Sequence, residues 1–117
     1  MDSVSTKVAI VGAGPGGLSA GLWCADLGLD HVVLESGPEA GGQLLWTFNE
    51  IDNYLGMSAR NGEEVRDRFA SHAARRGVAF RFGSRCVSFD PNELSLGLED
   101  GGSGRAEVII VATGVSR

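Results

Sequence analysis

Residues 7–17 read Lys7-Val8-Ala9-Ile10-Val11-Gly12-Ala13-Gly14-Pro15-Gly16-Gly17, and the next apolar run, His31-Val32-Val33-Leu34, ends at Glu35. The β-branched stretch before Gly12 reads as a short buried strand over 7–11. A helix is expected over 15–27, because proline fits a first helical turn and Gly28 fits a helix end. Leu18, Leu22 and Ala25 fall on one face of that helix. The second apolar run is a strand over 31–34. Strand, glycine turn, helix and strand make a βαβ unit, and such units build parallel sheets through right-handed crossovers.

The turn is a G-x-G-x-x-G pattern, which is weak alone. Here it follows a strand, opens a helix, and has an acid, Glu35, 23 residues after Gly12. That is the context of a dinucleotide-binding turn. Gly12 permits the tight turn, Gly14 lets a pyrophosphate approach the backbone, and Gly17 lets helix and strand pack closely. Ala13, Pro15 and Gly16 complete the phosphate loop. The N–H groups of the first helical turn lack intrahelical partners and, with the helix dipole, favour an anion. Glu35 would accept hydrogen bonds from ribose hydroxyls and repel a 2′-phosphate, which favours FAD or NAD over NADP. The alternative is a glycine-rich turn in an α/β protein that binds nothing.

Beyond Glu35 the segment 36–61 is long and irregular, with four glycines and mixed aromatics; stretches of this kind in a compact domain are usually functional. Asn61 reads as an N-cap with Glu64 at the capping-box position, opening a helix over 63–76 that ends at Gly77. Val65, Phe69 and Ala73 form its apolar stripe. Arg66, Arg68, Arg75 and Arg76 read as its solvated face. Short strands are expected over 78–82, 85–89 and 94–98, a polar turn over 99–104, and an apolar strand over 108–112.

The glycine turn, the first signal, does not say which dinucleotide binds; two further segments resemble the thioredoxin reductase family. The second is Gly41-Gly42-Gln43-Leu44, then Thr47, then Ile51-Asp52-Asn53-Tyr54-Leu55-Gly56. In that family a G-G-Q-L segment runs along the flavin, so the resemblance implies that Gly42, Gln43, Leu44, Thr47 and Asn53 bind FAD. Amides both donate and accept, which suits the flavin's polar edge; otherwise Gln43 and Asn53 are ordinary loop residues. The third is Val111-Ala112-Thr113-Gly114 with Arg117. It is similar to the A-T-G segment closing the first FAD half of two-dinucleotide-domain flavoproteins, and implies cofactor contacts at Ala112, Thr113 and Gly114. Val87 matches the family position whose backbone meets the adenine, or else is a core residue. The resemblance spans about 6–117. It departs from the family at Leu55, where proline is usual, and by about one extra residue between Leu44 and Gly56.

The fold expected is therefore α/β: a Rossmann-like FAD-binding domain, a parallel sheet with a βαβ start, plus a small antiparallel β-meander from about 85 to 98. Residues 1–117 read as one such domain. The resemblance implies that it is incomplete, lacking the NADPH domain and the C-terminal FAD segment, and that it exposes an apolar edge.

Composition narrows the function classes. A net charge of −5 argues against nucleic acid, which needs a clustered basic face. The two cysteines, Cys24 and Cys86, form no C-x-x-C, so neither a metal knuckle nor a dithiol centre is encoded, and both read as packed small hydrophobes. No apolar run approaches the ~20 residues of a membrane span. With no leader evident, a cytoplasmic location is expected. His31 and His72 read as structural or solvent-facing, and no side chain is an evident catalytic acid, base or nucleophile.

The resemblance implies an FAD-dependent oxidoreductase as a full-length protein, with hydride passing from NADPH to FAD and on to a disulfide acceptor such as thioredoxin, and a homodimer. Two other readings remain. One is a thioredoxin-reductase-like ferredoxin–NADP reductase with a one-electron, ferredoxin-like acceptor. The other is a non-catalytic module that binds FAD or an adenine nucleotide.

Overall fold

The computed structural model describes residues 3–114. Its central feature is a six-stranded mixed sheet. Strand β1 (Ser3–Val11) lies between β2 (His31–Leu34) and β8 (Ser103–Val111), parallel to both. β5 (Phe80–Arg81) extends the parallel part beyond β2. β7 (Ser95–Leu98) and β6 (Cys86–Asp90) extend the other side antiparallel, giving the order β5-β2-β1-β8-β7-β6.

Helix α1 (Pro15–Asp26) is the crossover between β1 and β2, as expected. It ends in a Schellman arrangement. Gly28 takes φ +70°. Its N–H donates to the Ala25 carbonyl at 3.2 Å, and the Leu29 N–H donates to that of Cys24 at 2.8 Å. Helix α2 (Gly62–Arg75) ends the same way, with Gly77 at φ +84° and the Val78 N–H on the Ala73 carbonyl. At its start the Asn61 side chain accepts the Glu64 N–H at 2.9 Å. The reciprocal half of the capping box is replaced: the Glu64 carboxylate pairs with Arg60 at 2.6 Å.

The core has two parts. Val8, Ile10 and Val33 of the sheet pack with Leu18, Cys24, Ala73 and Val78. On the other face, Val4, Ala9, Leu34 and Ala106 meet Leu96 and Leu98 of β7. Burial pushes the Cys24 thiol pKa up, because an apolar surround disfavours the thiolate. Cys24 is buried and Cys86 half-buried, and both are free thiols. His31 bridges chain segments: its Nδ1 lies 2.9 Å from the Leu29 carbonyl oxygen and its Nε2 accepts the Ala79 N–H at 3.1 Å.

Several expectations are revised. β1 begins at Ser3 rather than Lys7, because the polar run through Thr6 pairs with Ser103 to Ala106. β8 likewise starts at Ser103 rather than 108. The meander is not a separate unit: β6 and β7 continue the main sheet through β8. The strand expected over 78–82 narrows to Phe80–Arg81, since Val78 is used in the α2 cap. The segment 36–61 contains a 3₁₀ turn at Gly42–Trp46 and a hairpin of β3 (Ile51–Tyr54) and β4 (Met57–Ala59), turning at Gly56 with φ +101°. Arg66 is not on the solvated face; its side chain is 15 % exposed. It donates to the Ala40 carbonyl at 3.1 Å and pairs with Asp67 and Glu39. Those hydrogen bonds, Asp67 first, hold its guanidinium pKa above the ordinary value.

β7 pairs with β8 only near residues 103–105, so the far half of β8 has no neighbour on that side among the described residues. There Val108, Ile110 and Val111 are 47 %, 36 % and 69 % exposed.

Candidate dinucleotide-binding site

The glycine turn sits at the carboxyl ends of β1, β2 and β8, where ligands bind in open α/β sheets. It is pinned on both sides. The Gly12 N–H donates to the Leu34 carbonyl at 2.8 Å, and the Ala112 N–H donates to that of Val11 at 2.8 Å. Gly12 takes φ +108°, and a Cβ on it would collide with the Ala112 carbonyl oxygen. A Cβ on Gly17 would collide with the Gly12 carbonyl oxygen. Gly17 is therefore buried packing, as expected of the third glycine, and does not line the groove. Gly14 differs: its Cβ would stand 3.8 Å from Gly42 Cα, in ordinary contact.

Three walls enclose a groove of about 760 Å³. The first is Gly12, Ala13, Gly14, Pro15 and Gly16 with Glu35. The second is Gly42, Gln43, Leu44, Trp46 and Thr47. The third is Ala112, Thr113 and Gly114. The walls approach closely: a Cβ on Gly42 would lie 3.1 Å from Gly14 Cα, and one on Gly114 would lie 4.0 Å from Gln43 Nε2. At Gly42 the space is tight and φ is +53°, which favours glycine there. The Gly41 N–H bonds the Ala13 carbonyl at 2.9 Å, which ties the second wall to the first.

Glu35 is held at the groove's rim. Its Oε1 accepts the Ala13 N–H at 2.9 Å, and its Oε2 accepts the Gly37 N–H at 2.8 Å. Each carboxylate oxygen keeps further acceptor capacity for a hydroxyl. Its backbone carbonyl accepts the Ser84 N–H at 2.9 Å. An adjoining cavity of about 170 Å³ continues past Glu35 between Ser84, Arg85 and Cys86.

The structure thus gathers fourteen of the sixteen expected binding residues at the groove: thirteen in its walls, plus Gly17 behind the turn. Val87 and Asn53 are not in its lining. Val87 is exposed on β6 beside Cys86, and Asn53 is exposed on β3. Arg117 lies outside the described residues. Two lining residues were not anticipated. Ser36 could have been found from its adjacency to Glu35, and Trp46 from its place two residues after Leu44. No cluster of three or more His, Cys, Asp or Glu able to hold a metal exists among the described residues. No helix among them is long and apolar enough to cross a membrane.

A parallel sheet carrying a glycine turn, a carboxylate at the end of its second strand and two facing glycine-lined walls defines a dinucleotide-binding fold. Residues 6–117 match the pyridine nucleotide-disulphide oxidoreductase family, and the chain belongs to it. Among curated relatives, the thioredoxin reductase of Listeria innocua is 33 % identical over 107 residues, covering 92 % of this chain and 33 % of the relative. Among solved structures, thioredoxin reductase from T. acidophilum superposes with a TM-score of 0.85 at 30 % identity, over 96 % of this chain and 36 % of that one. A ferredoxin-flavin thioredoxin reductase from Clostridium acetobutylicum gives 0.83 at 27 % identity, over 99 % and 39 %. The chain thus spans about a third of the length of the curated relatives it matches.

Proposed function

We propose that this chain is the FAD-binding part of an NAD(P)H-dependent flavoprotein oxidoreductase most like thioredoxin reductase. The observation that carries the reading is the close approach of the glycine turn to the Gly42–Gln43 wall and of that wall to Gly114. The three walls line one continuous groove of about 760 Å³. The residues fit FAD. Gly14 leaves backbone open where a pyrophosphate would lie, the first turn of α1 offers N–H groups, Glu35 retains acceptor capacity for ribose, and Gln43 offers an amide for the flavin edge.

Bound there, a flavin would supply two-electron chemistry between a nicotinamide and an acceptor. The chain's own residues bind and orient. The Gly12-to-Gly16 backbone and the α1 dipole neutralise phosphate charge, Glu35 holds ribose and disfavours a 2′-phosphate, and Ala112 to Gly114 with Leu44 and Thr47 close the sides. Asn53, on the hairpin after this wall, and Val87, beside the adjoining cavity, would join at the two ends. For the longer protein we propose NADPH as hydride donor, a thioredoxin-like acceptor, homodimeric assembly and a cytoplasmic location. The similarity to the ferredoxin-flavin enzyme favours a second reading, in which the electrons are exchanged with a ferredoxin-like carrier.

The test is titration of the purified chain with FAD and with ADP by calorimetry, followed by desalting and a visible spectrum. Saturable binding of both, with a retained flavin band, is expected. A chain that is folded by circular dichroism and binds neither would overturn the reading.

A further inference from the structure

Every residue in the groove walls except one is small, aliphatic or polar; the exception among the described lining residues is Trp46. It closes the 3₁₀ turn Gly42–Trp46, immediately beyond Gln43 and Leu44. Its backbone is well anchored. The Thr47 N–H donates to the Leu44 carbonyl at 3.2 Å, and the Gly62 N–H donates to that of Thr47 at 2.8 Å. The start of α2 presses on the same turn, since a Cβ on Gly62 would collide with the Leu44 carbonyl oxygen. Trp46 is 40 % exposed, and no residue of the turn is buried. A wide, rigid aromatic face at the groove wall, two χ angles from a fixed backbone, suits stacking on a planar heterocycle.

We propose that Trp46 is a specificity-determining residue of this groove: its indole stacks on the tricyclic ring of the bound flavin. It thereby selects FAD over dinucleotides that carry a smaller second base. This rests on the FAD reading above. The phosphate and ribose contacts lie at the 12–16 turn and Glu35, on another wall, so Trp46 acts on the flavin half alone.

The experiment compares FAD and ADP affinities in the unchanged chain, Trp46→Ala and Trp46→Phe, with thermal melts of each. FAD affinity is expected to fall about tenfold in Trp46→Ala, the scale of a lost aromatic stack, with ADP affinity unchanged and Trp46→Phe restoring most of the loss. Equal weakening of FAD and ADP would mean that Trp46 only shapes the turn, and would overturn the proposal. So would an unchanged FAD affinity. An unchanged chain that binds ADP but not FAD overturns it while leaving a nucleotide groove. A chain that binds neither overturns both readings together.

Discussion

The Glu35 carboxylate accepts the N–H of Ala13, 22 residues earlier in the chain, at 2.9 Å. One side chain therefore fixes the second residue of the glycine turn and presents a charge at the groove's rim. Replacing it by alanine strands the Ala13 and Gly37 N–H groups. We expect Glu35→Ala to lose roughly 1–3 kcal/mol of stability and to weaken ADP binding. Glu35→Gln keeps an acceptor for Ala13 but turns an NH2 toward the Gly37 N–H, so it should lose less stability than Glu35→Ala without matching the unchanged chain. It should also narrow the preference for ADP over 2′-phospho-ADP, because the repelling charge is gone. Thermal melts and calorimetric titrations check both; an unchanged melt in Glu35→Ala would show that the Ala13 contact contributes nothing.

The glycines of the turn should separate by role. Gly17→Ala drives a methyl into the Gly12 carbonyl and should unfold the chain or cost several kcal/mol. Gly14→Ala meets only Gly42 Cα at 3.8 Å, so the fold should survive. Its methyl would stand where the phosphates approach, and ADP affinity should fall at least tenfold on the close-approach argument. Circular dichroism and titration of the two variants together make the comparison; similar melts would contradict it.

Asn61 caps α2 with one hydrogen bond to the Glu64 N–H. Asn61→Ala should cost about 1 kcal/mol, and Asn61→Asp, which keeps the acceptor and adds a favourable charge at a helix N-terminus, should cost little or nothing. Chemical denaturation of the three proteins measures it.

Acid should reach the Arg60–Glu64 pair in a defined direction. The hydrogen bond from Arg60 holds the Glu64 carboxyl below its ordinary value, with a smaller contribution from Arg68. A carboxyl depressed on folding stabilises above its unfolded value and loses that contribution as pH falls through the folded value. The loss therefore lies on the acid side of the usual glutamate range, and the exposure of Arg60 keeps it small. Carbon-detected NMR titration should find Glu64 titrating below an unperturbed glutamate, and Arg60→Ala should return it upward. A Glu64 midpoint unmoved by that substitution would refute the pairing.

Much of this was readable in the sequence, for physical reasons that also explain the rest. The βαβ unit is written in local signals: β-branched runs, a proline at the helix start, a glycine at its end. Twelve groove residues followed because they sit in three motifs, and Glu35 because it ends the second strand. What escaped depended on distant partners. Ser3-Val4-Ser5-Thr6 has no strand pattern of its own and becomes one only through Ser103 to Ala106. Arg66 looked like one of four solvated arginines until Glu39 and the Ala40 carbonyl gave it a place to bury. The β3–β4 hairpin has a Leu55-Gly56 turn rather than the asparagine–glycine or aspartate–glycine pairs that mark hairpins.

The pairing of β1 with β8 joins Ser3 to Ser103 and Val11 to Val111, partners one hundred residues apart. Contacts this remote are slow to form, since the loop between them must be closed before they stabilise anything. On the ribosome, the glycine turn would be synthesised early yet lack its third wall until β8 had emerged. The βαβ start must therefore wait, with one edge of β1 open, until about a hundred further residues have been made. This places a vulnerable interval for misassembly between the synthesis of β1 and that of β8.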